Sequence, residues 1–372
     1  MEPWEQEKRF GHWIEKPNLK FKIIASSTNP LLLEKGGILK EAVLAYETFG
    51  TLDPDRENVI LLFHGLTGDS HAASHHKEDN EGWWEPLVGV GKVLDTDRFF
   101  IISPNVLGGC QGSTGPCSIN PDNKKTYGGM FPKLTVGDQV RASRRLMHEL
   151  GVFKPAAVIG GSLGGMQALE WSVSYPKDQA AILALAAPAQ SSAQSVAYNY
   201  VMMEAIRKDP AWRGGDYEDS IGPRNGLALA RALGMITYQT EKAMDEKFGL
   251  RKREGRFEVE NYLHYQGKKL VDRFDPNSYL TLLEAMNHHN IGRRESVVKN
   301  ALERINGPIW LVGIDSDILY PALGIQKFAL ELEELEKRVE YRELKSLYGH
   351  DSFLIDFDQL NVIVGEFIEK IC

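Results

Sequence analysis

The sequence predicts an α/β fold in which a mostly parallel, doubly wound sheet is interrupted by a helical insertion. Two observations support this prediction. Short apolar runs alternate with helical patterns along the chain, and one long stretch between two such runs contains helical patterns only. The apolar runs lie at residues 59–63, 99–103, 156–159, 182–186 and 309–314.

Four further segments complete the predicted sheet and the helices that pack on it. Residues 21–25 and 42–49 alternate polar and apolar side chains, which favours an antiparallel edge. Residues 339–344 are expected to form the last strand. Residues 357–371 show the pattern of a closing amphipathic helix.

The helical insertion is marked by patterns at residues 195–208, 226–239 and 278–287, with no convincing strand between them. We therefore divide the chain into one domain of residues 1–190 and 301–372 and a helical lid of residues 191–300. Open α/β sheets bind ligands at the carboxyl ends of their strands. The lid is expected to cover that edge, and a helical domain with no role in the site is the alternative.

Composition excludes several classes of protein. The chain has 372 residues, 42% of them hydrophobic, and a net charge of −8, which argues against general nucleic-acid binding. No run approaches the roughly 20 apolar residues of a membrane span, and the N-terminal residues lack the pattern of a signal peptide. The three cysteines are Cys110, Cys117 and Cys372, a sparse and odd set that favours reduced thiols and a cytoplasmic location.

A Gly-x-Ser-x-Gly motif places Ser162 between an apolar run and a helical pattern. A tight strand-to-helix turn exposes such a serine and strains its backbone, so its neighbours must lack bulk. Gly160 and Gly164 meet that requirement. Ser162 is therefore a candidate nucleophile, and a glycine-rich turn with an ordinary serine is the alternative.

A nucleophilic serine needs a base and an acid, which follow it in the order Ser, Asp or Glu, His in this architecture. His350 lies in a loop between the last predicted strand and the final helix, so it is the candidate base. Asp315 and Asp317 both follow the strand at residues 309–314. We choose Asp317 because it lies further into the loop, whereas Asp315 could hold the turn.

Two backbone amides are candidates for the oxyanion hole. Leu163 follows the nucleophile, and Leu66 lies in a loop after the strand at residues 59–63, where this architecture places its second donor. His71, His75 and His76 have helical spacing, but no cysteine or carboxylate stands at ligand spacing from them. We therefore expect no metal.

These motifs together resemble the homoserine O-acyltransferase family of α/β-hydrolases, which makes O-acylhomoserine on the route to methionine. The resemblance runs through nearly the whole chain and is carried by residues 64–68, 105–116, 160–171, 262–275 and 349–354. It implies an α/β-hydrolase fold and a triad of Ser162, Asp317 and His350. The spacing of the last two agrees with the family pattern and supports Asp317 over Asp315.

The resemblance also implies how an amino-acid substrate binds. Arg231, in the lid motif at residues 230–238, is expected to bind the substrate carboxylate, with Tyr238 nearby. A guanidinium matches a carboxylate geometrically and keeps its charge. Asp351 resembles the family's anchor for the α-ammonium group.

The implied reaction is transfer of acetyl from acetyl-CoA to the hydroxyl of L-homoserine through an acyl-serine, with no cofactor besides this co-substrate. Relatives that use succinyl-CoA tend to carry Trp-Arg after the acid, whereas Ile318 and Leu319 stand here. A homodimer formed through the lid is also implied. A succinyl-CoA-dependent or serine acyltransferase, a carboxylesterase or thioesterase, and a binding protein without catalysis are the alternatives.

Overall fold

The computed structural model describes residues 18–217, 222–294 and 298–371. An eight-stranded sheet lies at its centre, with the order β1-β2-β4-β3-β5-β6-β7-β8. In chain order the strands are β1 (Lys20–Ala25), β2 (Ala42–Phe49), β3 (Val59–Phe63), β4 (Phe100–Pro104), β5 (Ala157–Gly161), β6 (Ala181–Leu185), β7 (Ile309–Ile314) and β8 (Val339–Leu344). The strand β2 pairs antiparallel with β1 and β4, and all other neighbours are parallel. The predicted fold class is confirmed.

The strands β3, β5, β6 and β7 are buried along their whole length. Helices cover both faces of a parallel sheet, so its strands consist of continuous apolar runs rather than alternating ones. The antiparallel edge is also confirmed. Of its two strands, β1 is the one that contains exposed residues. Seven of the eight residues of β2 are buried, and these include the carboxylate of Glu47.

Ten helices surround the sheet in the described part of the chain. They are α1 (Val136–Glu149), α2 (Leu163–Ser174), α3 (Ala193–Arg207), α4 (Arg224–Tyr238), α5 (Glu241–Lys247), α6 (Glu258–Val271), α7 (Pro276–Asn287), α8 (Val298–Glu303), α9 (Ala322–Glu334) and α10 (Phe357–Ile371). The helix α1 begins at a capping box formed by Thr135 and Asp138. Helices α1, α2 and α9 pack on one face of the sheet, and α10 packs on the other.

The segment between β6 and β7 is helical, and its helix α4 packs against both α3 and α6. It also contains a small hairpin, Lys252–Arg253 with Arg256–Phe257, which the sequence patterns do not predict. The helix α4 contacts the 3-10 segment Gly349–Leu354, which carries His350. The helical segment therefore lies beside the candidate site, while the domain division at residues 190 and 300 stays a prediction.

Among the described residues, no helix combines the length and the apolar character needed to cross a membrane.

Candidate active site

Ser162 occupies a strained turn between β5 and α2. Its backbone has φ 56° and ψ −121°, a conformation that is costly for a residue with a side chain. A Cβ at Gly160 would overlap the backbone of Gly164, and a Cβ at Gly164 would overlap the carbonyl of Phe63. The two glycines therefore allow α2 to pack tightly on the sheet while the turn presents Ser162 at its edge.

The structure brings Ser162, His350 and Asp317 into one hydrogen-bonded chain. The distance from His350 Nε2 to Ser162 Oγ is 2.8 Å, and that from His350 Nδ1 to Asp317 Oδ2 is 2.6 Å. All three residues are buried. This is the geometry in which an imidazole can take the proton of a serine hydroxyl while a carboxylate fixes its tautomer.

Hydrogen bonds distinguish the two candidate acids. Asp317 Oδ1 accepts from the amides of Leu319 and Tyr320, at 2.8 and 3.0 Å, so its other oxygen points at the imidazole. Asp315 instead accepts from the amide of Ser346 at 3.0 Å and holds the ends of β7 and β8 together. Of these two carboxylates, the one that contacts His350 is Asp317.

The electrostatic surroundings favour a protonated His350 during the reaction. Burial lowers the pKa of the imidazole, but the charge and hydrogen bond of Asp317, with the charge of Asp351, outweigh it and raise the pKa above its usual value. The rings of Tyr238, Tyr320 and Phe353 lie 5.7, 5.2 and 5.6 Å from the imidazole ring. These rings restrict its orientation and its contact with water.

The two candidate oxyanion donors lie on neighbouring segments. Leu163 is the first residue of α2, and the loop that carries Leu66 starts at His64, whose carbonyl lies against Gly164. In the described part of the chain, neither amide enters a hydrogen bond. Since the first amides of a helix lack partners within it, Leu163 N–H can donate to an oxyanion on Ser162.

The candidate acceptor site combines one positive and one negative side chain. Arg231, on α4, is half-buried, and its guanidinium carbon lies 5.8 Å from the ring centre of Tyr238. Asp351 follows His350 directly, and burial raises the pKa of its carboxyl, although the charges of His350 and Arg231 oppose this. Among the described residues, no hydrogen bond or ion pair within 4 Å reaches the side chain of Arg231 or Asp351.

Arg273 was not assigned a role from the sequence, although it lies in the segment at residues 262–275. It is half-buried and donates from Nη1 to the carbonyl of Thr67 at 2.8 Å. Burial and the neighbouring charge of Arg231 lower its pKa. Because the same segment also carries Lys268, Lys269 and Asp272, no local signal distinguished this arginine, which adds positive potential next to Arg231.

Comparisons with known proteins agree with this geometry. A family model described as the alpha/beta hydrolase fold matches residues 58–355, so the fold and the Ser-His-Asp arrangement are those of an α/β-hydrolase. The chain belongs to the homoserine O-acetyltransferase family, which confirms the resemblance. A homoserine O-acetyltransferase of Methanosalsum zhilinae is 46% identical over 352 residues, which span 92% of this chain and 71% of that protein.

Two solved structures have the same fold as this chain, but their descriptions name two different activities. The homoserine O-acetyltransferase from Bacillus anthracis has a TM-score of 0.87 and 28% identity, covering 94% of this chain and 97% of that one. Esterase E22 has a TM-score of 0.86 and 27% identity, covering 94% of this chain and 100% of that one. Overall shape therefore does not distinguish transfer from hydrolysis, and the residues around the triad must do so.

Proposed function

We propose that this protein transfers an acetyl group from acetyl-CoA to the hydroxyl of L-homoserine, a reaction of methionine biosynthesis. The observation that carries the proposal is the pair of opposite charges, Arg231 and Asp351, which lie beside the hydrogen-bonded serine and whose side chains have no hydrogen bond among the described residues. A free amino acid presents a carboxylate and an ammonium group, and this pair is complementary to both. The names of relatives at 43–46% identity support the same activity.

In the first step, His350 Nε2 takes the proton of Ser162 Oγ as this oxygen attacks the thioester carbonyl. The amides of Leu66 and Leu163 donate to the resulting oxyanion, and Asp317 stabilises the imidazolium. The C–S bond then breaks, and the CoA thiolate leaves with the proton from His350. Ser162 now carries the acetyl group as an ester.

In the second step, Arg231 binds the homoserine carboxylate and Asp351 binds its ammonium group, which directs the hydroxyl to His350. The imidazole takes the hydroxyl proton, and the oxygen attacks the acetyl-serine. The new ester forms, the bond to Ser162 breaks, and His350 returns the proton to Ser162 Oγ. Side chains, amides and the two substrates account for every proton, so the proposal includes no cofactor.

Transfer must compete with hydrolysis, since water is far more concentrated than any metabolite. An oriented acceptor gains the advantage of an intramolecular reaction, and exclusion of water suppresses the competing attack. We propose that residues 191–300 act as a lid for this purpose. The contact of α4 with the segment that carries His350 supports this role.

The proposal is tested by mixing the purified protein with a thioester donor and a hydroxy amino acid and following CoA release. We expect release that depends on L-homoserine, with O-acetylhomoserine as the product by mass spectrometry. Succinyl-CoA and L-serine serve as the competing donor and acceptor, and both are expected to react more slowly. Absence of homoserine-dependent release with either donor would refute the proposal.

Hydrolysis is the second candidate function, because esterase E22 has nearly the same TM-score as the acetyltransferase structure. An esterase acting on neutral esters has no need of an arginine and an aspartate without partners beside its triad. Measuring acetate and O-acetylhomoserine in the same reaction distinguishes the two functions. Acetate as the main product at saturating homoserine would favour the esterase.

We further propose that the protein acts in the cytoplasm as a homodimer. Cys110 and Cys117 are free thiols, which is typical of a reducing compartment. Several large apolar side chains on the helices of the lid are exposed, and patches of this kind mark contact surfaces. They are Tyr200, Val201, Leu229 and Ile236. Sedimentation of the purified protein measures the oligomeric state.

A further inference from the structure

Two histidines and a buried glutamate form a compact cluster outside the proposed mechanism. His71 Nδ1 and His75 Nε2 each lie 2.8 Å from Glu47 Oε2. Among the residues that the structure describes, this is the one group of three metal-ligating side chains, and its three ligand atoms lie within 4.8 Å of one another. The histidines lie in a loop rather than on a helix, and Glu47 comes from β2.

The hydrogen-bond partners of His71 conflict with a neutral imidazole. Its Nδ1 faces the Glu47 carboxylate, and its Nε2 lies 2.8 Å from the carbonyl oxygen of Asn80. Both partners are acceptors, whereas a neutral imidazole has one N–H to donate. Two arrangements resolve the conflict: a second proton, which makes an imidazolium paired with Glu47, or a cation bound at Nδ1, which leaves Nε2–H to donate to Asn80.

The surroundings of the cluster are those of oriented metal ligands. Ser70 Oγ donates to Glu47 Oε1 at 2.7 Å, which leaves Oε2 for the histidine side. The His75 ring stacks on Phe49 with ring centres 4.5 Å apart and 11° between planes. Metal-bound histidines almost always donate their second N–H to a carbonyl or carboxylate, and bound carboxylates are themselves hydrogen-bonded. Asn80, Ser70 and Phe49 thus fix the orientation of all three side chains.

We propose that Glu47, His71 and His75 form a binding site for one divalent transition-metal ion of the Zn²⁺ class. Two imidazoles and one carboxylate suit zinc, whereas Mg²⁺ and Ca²⁺ prefer oxygen ligands. Zinc bonds of about 2.0–2.1 Å in tetrahedral geometry hold their ligand atoms about 3.3 Å apart. Binding of the ion therefore requires the two 2.8 Å contacts to lengthen by about 0.5 Å and the two nitrogens, which now lie within 4.8 Å of each other, to reach about the same spacing. A neighbouring cavity of about 620 Å³, which Glu47 and His71 line, provides access and room for a water ligand.

The bound ion would tie β2 to the loop that follows β3. The same loop carries Leu66, whose amide is a proposed oxyanion donor, and Thr67, whose carbonyl accepts from Arg273. The ion is not placed in the reaction. Its role is to stabilise the loop that positions these groups, and metal binding can be measured independently of the proposed acetyl transfer.

The test begins with protein freed of metal by a chelator and then dialysed into chelator-free buffer. Titration with Zn²⁺ in a calorimeter is expected to show one tight site per chain, with a rise in melting temperature. Co²⁺ in place of Zn²⁺ is expected to give the visible absorption of a cobalt ion with nitrogen ligands.

Variants of neighbouring histidines identify the site. His75→Ala and His71→Ala each remove a ligand, and we expect each to weaken Zn²⁺ binding at least about 10-fold. His76→Ala is the matched control, because the His76 side chain is 51% exposed and pairs only with the exposed Glu78 in its ion-pair contacts. It is expected to bind like the unchanged protein. Circular dichroism verifies that each variant is folded.

Two results would overturn the proposal. If the metal-free protein takes up no stoichiometric Zn²⁺, the cluster is a hydrogen-bonded carboxylate–imidazole group only. If His76→Ala weakens binding as much as His75→Ala, or if neither variant weakens it, the ion binds elsewhere on the chain.

Discussion

The triad and the acceptor site lie side by side, yet they differ in how their polar groups are satisfied. Asp317 accepts two amide hydrogen bonds and contacts His350, which in turn contacts Ser162. In the described part of the molecule, the side chains of Arg231 and Asp351 have no hydrogen bond and no ion pair within 4 Å. The triad is therefore complete without substrate, whereas we propose that the side chains of Arg231 and Asp351 find hydrogen-bond partners only when a zwitterionic acceptor binds.

We therefore assign the bond-making chemistry to the triad and the choice of acceptor to the pair of Arg231 and Asp351. A hydrogen-bonded triad can acylate itself from many activated esters, as the likeness to an esterase structure illustrates. Partly buried charges without partners are costly, and an oppositely charged ligand removes that cost. We therefore expect substitutions in the two regions to affect different half-reactions.

The largest effect is expected for Ser162→Ala. Removing the nucleophile should lower turnover by about 10,000-fold or more, both with homoserine and with water as acceptor. Ser172→Ala, a buried serine of α2 whose hydroxyl bonds only to the Leu169 carbonyl, serves as the control and should retain activity. Residual CoA release close to that of the control would show that Ser162 is not the nucleophile.

The second effect tests the acceptor site alone. Arg231→Ala should lower kcat/KM for homoserine by about 100-fold, because a charge-assisted pair with the substrate carboxylate is lost. Acetylation of Ser162, followed as the burst of CoA release, should change little. Arg224→Ala on the same helix is the control, since Arg224 is exposed and pairs with Asp272. Equal loss in both half-reactions would contradict the assigned role.

Asp351→Asn is expected to have a smaller effect on the same half-reaction. The amide keeps the shape of the side chain but loses the charge that attracts the ammonium group, so the ratio of transfer to hydrolysis should fall about 10-fold. Asp358→Asn, an exposed carboxylate a few residues later, is the matched control. An unchanged ratio of O-acetylhomoserine to acetate would remove Asp351 from the acceptor site.

The smallest expected effect is a shift in the pH dependence of acylation, which couples Asp351 to the triad. His350 must be neutral to accept the serine proton, so the rate of acylation should fall as pH drops below its pKa, which lies above the usual imidazole value. The charge of Asp351 contributes to that rise. Asp351→Asn should therefore move the acid limb of the acylation rate to lower pH, measured by the CoA burst across a pH series. No movement would mean that the two groups act independently.

Local patterns were sufficient to predict most of the sheet. Residues 309–314, 339–344 and 357–371 were assigned with the bounds that the structure has. Burial on both faces makes such runs distinctive, and a turn as tight as that at Ser162 needs glycines at fixed positions. The hairpin at Lys252–Arg253 was missed because two-residue strands carry no periodicity.

The parts of the site that combine residues far apart in the sequence were harder to predict. Position in the loop favoured Asp317 over Asp315, the family resemblance supported that choice, and the hydrogen bonds then distinguished the two carboxylates. Glu47 lies 24 residues before His71, so no local motif joins them. A carboxylate within the apolar strand β2 was the available signal, since buried charges need partners.

Because Asp351 directly follows His350 in the sequence, the two residues constrain the length of the acceptor. In the proposed mechanism one residue takes the hydroxyl proton and the next binds the ammonium group, so the backbone fixes the span between these two groups of the substrate. L-serine has one methylene fewer than L-homoserine between them, and its hydroxyl would fall short of the imidazole when its ammonium group is bound. An acceptor of another length would require the 3-10 segment itself to move, and that movement would displace the base from Ser162.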